Sequence, residues 1–330
     1  VVTTSVLLPA RDAERTLGEA LASILAQTDP DLEVLLVDDG SRDGTRAVAE
    51  GTGDPRVRVL EGHGRGIVAA LERARREARG RFLLRMDADD ISHPERLAAT
   101  RAVLEQDERI ACASSLVASF GEPALGRRLY DAWLNAHLSH EAMLRVRFVE
   151  SPVAHPSVLL RADAVARAGG YRDVPGPEDW DLWLRLFAAG DRFAKVPRVL
   201  LRWREHEGRL SRRDPRYGRE ALVLVRARHL ASGPLRGRAA ILCGAGKGGA
   251  LLARALRAEG ATVAAFVDVA ERRIGGTKAG VPVHALGRLR ALRRDELIVG
   301  VAGGRGARSE LRAVLSGHGF VEGEEFLLAQ

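Results

Sequence analysis

The chain has 330 residues and a formal net charge of +7, a length that favours about two domains, each large enough to bury its own core. Hydrophobic residues make up 46% of it and charged ones 29%, with no Ser/Gly/Gln-rich run, which excludes a long disordered arm. The basic excess is almost all Arg and is dispersed through acidic sequence, which argues against nucleic-acid binding; scattered guanidinium groups suit diphosphate-bearing ligands instead.

Cys112 and Cys243 are the only cysteines, and each sits in an apolar run. Two such residues make neither a disulfide framework nor a cysteine metal site, and they point to the cytoplasm. No apolar stretch reaches the roughly 18 residues of a spanning helix, and the N-terminus lacks a signal-peptide layout. The expected location is cytoplasmic, at most peripheral at the inner face of a membrane.

The first third alternates strand and helix as a parallel sheet requires. Ser5 to Leu8 reads as a strand ending at Pro9. Leu17, Leu21, Ile24 and Leu25 form a helical stripe, and the apolar run Leu32 to Val37 breaks at Asp38, Asp39 and Gly40. The pattern recurs with a strand at Val57 to Leu60, a helix over Ile67 to Arg79, and a strand at Phe82 to Met86 that runs into Asp87, Ala88, Asp89 and Asp90. Ser92 and Glu95 have the spacing of a capping box, with Pro94 in the first turn of the next helix. Both acidic clusters follow a strand's C-terminal end, the edge where open α/β sheets bind ligands.

Farther on, Ala118 to Phe148 reads as irregular. Ser157 to Leu160 is expected as strand, Ala162 to Ala168 and Trp180 to Ala189 as helices, and Phe193 to Val196 and Val199 to Trp203 as two strands. Arg212 to Pro215 looks like a domain exit, followed by a connecting helix at Tyr217 to Ala231. Periodicity then restarts with strands at Ala239 to Cys243, Ala261 to Val267 and Leu297 to Val301, and helices at Gly248 to Glu259 and Arg308 to Leu315. The expected organisation is a first α/β domain over 1–213, a connector over 214–236, and a small α/β domain over 237–330.

Three features carry chemistry. Asp87 and Asp89, one residue apart at a strand end, can face one pocket as hard oxygen ligands for Mg²⁺ or Mn²⁺, although a solvated acidic turn would look the same. Asp38 and Asp39, with Gly40 and Gly44 close by, can accept from a base N–H or a ribose hydroxyl while the backbone approaches closely; turn chemistry alone would also explain them. Glu178 and Asp179 open a helix whose dipole favours the ionised carboxylate, and Asp179 is a candidate general base; ordinary N-terminal helix charge is the plainer reading.

Taken in order, Leu8-Pro9-Ala10, Val37-Asp38-Asp39-Gly40-Ser41-Arg42-Asp43-Gly44-Thr45, Met86-Asp87-Ala88-Asp89-Asp90, His155-Pro156-Ser157, Gly169-Gly170-Tyr171-Arg172 and Glu178-Asp179 resemble the family-2 glycosyltransferases over roughly residues 3 to 210. The resemblance implies a GT-A fold and inverting transfer of a single sugar from a nucleotide-diphosphate donor to an acceptor sugar, a lipid-linked glycan or a small molecule. It implies that Pro9, Ala10, Asp38 and Asp39 lie on the base side and Asp87 near the ribose or metal. Asp89 would ligate Mg²⁺ or Mn²⁺, with His206 either a metal-side contact or a surface residue in a charged loop. Asp179, beside Glu178, would take the acceptor proton, and Arg65 and Arg204 would meet the diphosphate. His155 is read as structural or acceptor-side. Ala10, Arg11 and Asp12 stand where members often carry an aromatic residue or Asn, so the nucleobase stays open. The Gln that opens the motif of processive synthases is missing from Val199 to Trp203, which favours single transfer. A nucleotidyltransferase acting on sugar phosphates and a non-catalytic nucleotide-sugar sensor are the alternatives.

In the last domain Gly244-Ala245-Gly246-Lys247-Gly248-Gly249 follows a strand and opens a helix, with Asp268 ending the next strand. This is the spacing of a Rossmann fingerprint, in which glycines admit a phosphate to the helix N-terminus and the acid holds a ribose hydroxyl. The segment also resembles the small Rossmann-like domain that precedes many sugar acyltransferases, which implies a nucleotide, a nucleotide sugar or NAD(P) as ligand. A purely structural role fits these residues equally well.

Overall fold

The computed structural model describes residues 2–121 and 123–329. They form two compact units. One comprises Val1–Met143, Pro152–Asp173 and Asp181–Arg213, the other Leu144–Ser151, Val174–Trp180 and Asp214–Gln330.

The first unit is built on β1 (Thr4–Ala10), β2 (Leu32–Asp38), β3 (Val57–Glu61), β4 (Phe82–Arg85), β5 (Ile91–Ser92), β6 (Ile110–Gly121), β7 (Leu159–Arg161) and β8 (Arg192–Glu205). They form one mixed sheet in the order β3-β2-β1-β4-β7-β6-β8-β5. The pairs among β1, β2, β3 and β4 are parallel, and β7 is antiparallel to both neighbours. The central β1, β2 and β4 are near-continuous apolar runs because helices such as Glu14–Leu25 and Ile67–Glu77 cover the sheet, and Leu17, Leu21, Ile24 and Leu71 are buried there.

Several expectations need correcting. Ala118 to Phe148 is regular: β6 runs to Gly121, and helices Leu125–Asn135 and His140–Val146 follow. The two strands expected between Phe193 and Trp203 are one, β8. Its register against β6 shifts where Ser115 faces Val196 and Leu116 faces Val199, so Pro197 and Arg198 sit in a bulge that lets the strand continue past a residue with no N–H. The strand expected from Ser157 starts only at Leu159, after a 3₁₀ turn at His155–Ser157.

The capping box does not form either. Ser92 lies in β5 with its hydroxyl accepting from Gln27 Nε2 at 3.1 Å, and Glu95, the N-cap of helix Arg96–Gln106, pairs with Arg198. Gln27 instead caps that helix from a distance, its Oε1 accepting the Leu97 amide at 2.9 Å. A tertiary partner has replaced the local one.

The second unit holds β9 (Ala240–Cys243), β10 (Val263–Asp268), β11 (Thr277–Lys278), β12 (Val281–Ala285), β13 (Leu297–Gly300) and β14 (Phe326–Leu328). Their order is β11-β12-β10-β9-β13-β14, parallel except for the β11–β12 hairpin. Counting only the parallel strands, this is the 3-2-1-4-5 arrangement of doubly wound sheets. Helix Arg219–Ser232 is preceded by a 3₁₀ turn at Pro215–Tyr217. Among the described residues no helix is long and apolar enough to cross a membrane.

Candidate active site

Because β1 lies between β2 and β4 and all three are parallel, their C-terminal ends share one edge. Ala10 faces Asp38 across the β1–β2 pair, and Leu7 faces Arg85 across β1–β4. The loops 38–44 and 87–90 therefore leave the sheet on either side of Pro9 and Ala10. The order of neighbouring strands brings together acids that are far apart in sequence.

Asp87, Asp89 and Asp90 place carboxylate oxygens within 4.8 Å of one another. Three negative charges this close would repel, and buried cations offset them. Arg85 and Arg96 are both buried, and Arg85 Nη2 lies 2.6 Å from Asp87 Oδ1. Burial pulls Arg96 down to about 9, against the attraction of Asp90 and Asp87. Burial also pushes the Asp87 carboxyl up, but the Arg85 guanidinium, helped by His155 and Arg209, more than reverses this and holds Asp87 below its ordinary value. Asp89 is raised, by burial first and then by the charge on Asp87. Asp90 is raised well above the usual carboxylate range by burial and by both neighbours. Its Oδ1 accepts the Arg204 amide at 2.8 Å, while its buried Oδ2 has no hydrogen-bond partner.

His206 Nε2 lies 2.9 Å from Asp89 Oδ2, so His206 meets one member of the cluster, while the carboxylates that converge are those of Asp87, Asp89 and Asp90. Arg204 is turned to another use. Its Nε donates to the Asp89 carbonyl at 2.6 Å and its far end pairs with Glu19, so this side chain clamps the acidic loop to the end of β8. Arg209 reaches Glu205 at 3.2 Å, and Glu205 also meets Arg127 at 3.3 Å and Arg212 at 2.5 Å. His155 is buried, with Nε2 at 3.0 Å from the Tyr171 hydroxyl and its ring edge-on to Trp183.

In the 38–45 loop most polar groups serve the loop itself. Asp38 Oδ1 accepts the Ser41 amide at 3.0 Å, Asp12 Oδ1 accepts that of Arg42 at 2.8 Å, and Asp43 Oδ2 accepts that of Glu14 at 3.0 Å. The Asp39 oxygens accept the Arg65 and Gly66 amides at 2.9 and 2.8 Å. A Cβ at Gly62 would stand 2.9 Å from Asp39 Cα, which is why this second loop can lie against the first. Asp39 thus shapes the 62–66 loop, and the exposed Arg65 contributes its backbone there.

Glu178 and Asp179 open the helix Glu178–Ala188. The expectation that the helix dipole keeps Asp179 ionised is overturned. Burial, then the adjacent Glu178 charge, with a smaller push from Glu150, raise Asp179 to about 8 despite the Trp180 amide on Oδ1 at 2.8 Å. A terminal dipole is a small effect beside the partial burial of Asp179 next to the buried like charge of Glu178.

In the second unit the three fingerprint glycines differ. Gly244 has φ +118°, and a Cβ there would lie 2.3 Å from the Val301 carbonyl oxygen; at Gly249 it would lie 1.9 Å from that of Gly244. At Gly246 the nearest atom is Arg273 Nη1, 4.0 Å away. Asp268 is nearly buried, with Oδ2 accepting the Ala245 amide at 2.7 Å and pairing with Arg273 at 2.9 Å, while Oδ1 accepts the Ala270 amide at 2.8 Å. Its carboxylate ties the end of β10 to the glycine loop. Gly249→Ala is expected to destabilise this unit by about 1–3 kcal/mol through overpacking against backbone, read by denaturant unfolding, whereas Gly246→Ala should cost only a fraction of that; equal losses would contradict the packing argument.

Sequence reasoning passes over Asp90, Arg85, Arg96 and Arg209 as site residues. An Arg inside the apolar strand Phe82–Arg85 is the available signal, since a buried guanidinium needs an anionic partner. Arg96 and Arg209 carry no such mark, because only the fold brings them under the acidic loop.

A mixed sheet of this order, with two acidic loops at the ends of its parallel strands, is the arrangement expected of the GT-A fold. The model of glycosyl transferase family 2 matches residues 5–168. The amylovoran biosynthesis glycosyltransferase AmsE of Erwinia amylovora is 30% identical over 218 residues, 63% of this chain and 79% of AmsE. Among solved structures, S. aureus TarS 1–349 in complex with UDP-GlcNAc superimposes with a TM-score of 0.58 at 18% identity, covering 77% of this chain and 71% of that one. The mannosyltransferase PcManGT from Pyrobaculum calidifontis, in complex with GDP-Man and Mn²⁺, gives 0.50 at 23% identity, covering 69% and 61%. The chain belongs to glycosyltransferase family 2.

Proposed function

We propose that this enzyme transfers a single sugar from a nucleoside-diphosphate sugar to an acceptor hydroxyl, with inversion and with a divalent cation. The observation that carries the reading is the convergence of Asp87, Asp89 and Asp90. The buried Asp90 Oδ2 has no hydrogen-bond partner, and an unsatisfied buried oxygen beside two carboxylates fits a cation better than it fits a solvated turn. Asp87, Asp89 and His206 would hold Mg²⁺ or Mn²⁺, and Asp90, raised well above the usual carboxylate range without the ion, would give up its proton when the cation binds. When bound, the cation offsets the charge that grows on the leaving diphosphate.

The remaining roles fall to the chain's own groups. Pro9, Ala10 and Asp38 border the base and ribose side, and Asp39 keeps the 62–66 loop, with Arg65, in place beside them. Arg204 acts through the acidic loop it clamps. Asp179, made basic by burial and by Glu178, accepts the proton of the attacking hydroxyl. The acceptor is a growing polysaccharide or a lipid-linked glycan, in keeping with the biosynthetic name of AmsE. No observation favours the nucleotidyltransferase or sensor alternatives. In this reading 1–213 carries transfer, 214–236 connects, and 237–330 is an accessory nucleotide-binding domain whose ligand approaches Gly246, the one fingerprint glycine with room beside it.

A thermal-shift screen of UDP-, GDP-, CDP- and dTDP-sugars and NAD(H), with and without Mn²⁺, tests both parts. Stabilisation by one nucleotide sugar only with Mn²⁺ is expected. A shift from NAD(H) or a nucleotide that persists in Asp89→Ala supports the second site, and no Mn²⁺-dependent shift from any sugar nucleotide would sink the first.

A further inference from the structure

Arg212 to Pro215 reads in sequence as a domain exit and Tyr217 to Ala231 as a connecting helix, with nothing to attach their junction to chemistry. In the structure it is a 3₁₀ turn, Pro215–Tyr217, closed by the Asp214 carboxylate, which accepts the Arg216 amide at 2.9 Å. The turn delivers two side chains to Glu178. The Tyr217 hydroxyl lies 3.1 Å from Glu178 Oε2 and 3.3 Å from Oε1, and Arg216 Nη1 lies 3.9 Å from Oε2.

Glu178 is buried, so these contacts are made in a poorly solvated place where a donor and a cation weigh heavily. Both favour negative charge on Glu178. Asp179, one residue on, instead accepts the Trp180 amide and faces the carboxylates of Glu178 and Glu150. Arg226 and Arg308 act on Glu150. Burial and the charges of Glu178 and Asp179 push the Tyr217 hydroxyl far above its ordinary value, so it stays a donor at every working pH.

We propose that Tyr217 is a positioning residue for sugar transfer: its hydroxyl, with Arg216 beside it, keeps Glu178 as the charged member of the Glu178–Asp179 pair and leaves the exchangeable proton to Asp179. The inference rests on the reading of Asp179 as the base. It makes the 3₁₀ turn Pro215–Tyr217, which belongs to the same compact unit as Glu178 and Asp179, part of the catalytic apparatus, because the pH at which Asp179 becomes able to accept a proton depends on a hydroxyl from that turn. Without the hydroxyl, the pair loses its first proton from Asp179 more often than it does in the wild type, so Asp179 ionises at lower pH.

The test uses the full chain labelled with ¹³C at Asp and Glu carboxyls, with the Asp179 signal assigned through Asp179→Asn. In Tyr217→Phe the Asp179 titration should move down by about one pH unit, and the acid limb of nucleoside-diphosphate release from the nucleotide sugar turned over fastest among UDP-GlcNAc, UDP-glucose and GDP-mannose should follow it. Glu178→Gln should move both in the same direction, and it serves as the second variant if Tyr217→Phe does not fold. An Asp179 titration unchanged in either folded variant overturns the proposal, as a purely structural tyrosine would lower stability and leave that titration in place. Separately, undiminished transfer by Asp179→Asn would overturn the base assignment itself, whatever the titrations show.

Discussion

Asp179→Asn lowers turnover by about 100- to 10,000-fold while donor affinity stays near that of the wild type, the expected loss for removing a general base. Asn keeps the shape and the acceptor oxygen for the Trp180 amide, so the helix start survives; what goes is the ability to take a proton. With Asp179 raised to about 8, the wild-type enzyme holds this group mostly protonated at neutral pH. Activity should therefore climb as pH rises towards about 8, and fall roughly tenfold per unit well below it. Stability runs the opposite way. A carboxyl raised on folding keeps its proton longer than in the unfolded chain, so its contribution is complete below the ordinary carboxylate range and is lost as pH rises through about 8. Asp179→Asn should flatten both curves. Steady-state kinetics against pH and thermal unfolding against pH read them independently, and a normal rate in the Asn variant would move the base elsewhere.

Asp89→Ala removes the central member of the acidic cluster and a partner of His206, and it should cost at least about a hundredfold in Mn²⁺-dependent donor binding. Calorimetric titration with and without the cation separates this from misfolding, because the same variant should keep any cation-independent binding. Losing one of three repelling carboxylates also lowers the pressure on Asp90, which burial and the other two acids hold well above its usual range. The variant should thus be no less stable than the wild type in the absence of metal. Wild-type affinity without metal, or an Asp89→Ala protein that still binds donor through Mn²⁺, would remove the cluster from the site.

How much of this is legible beforehand depends on whether the signal is local. The strands flanking the site are legible because each is a short apolar run buried on both faces and broken abruptly by acids, so the positions of Asp38, Asp39, Asp87 and Asp89 at one sheet edge follow from the pattern alone. β6 is missed because the buried Ser114 and Ser115 interrupt the apolar run around Cys112, and the small residues beside them give no clear period. β8 is split because Pro197 looks like a terminator, and only the pairing with β6 shows that a bulge absorbs it. The Ser92 and Glu95 cap fails for a similar reason: Gln27, a residue distant in sequence, caps the helix instead by accepting the Leu97 amide.

Sequence by itself determined which elements carry acids, which glycines precede a helix, and which family the ordered motifs belong to, because these are read from residues within a turn or a strand of one another. The tertiary structure alone decided the electrostatic state of those groups. Asp39 and Asp268 turn out to hold backbone amides, Arg204 to clamp the acidic loop, and Asp179 to be more basic than its place on the helix suggests. Burial and the arrival of charges from remote segments set these states, and both depend on distances that no local pattern records.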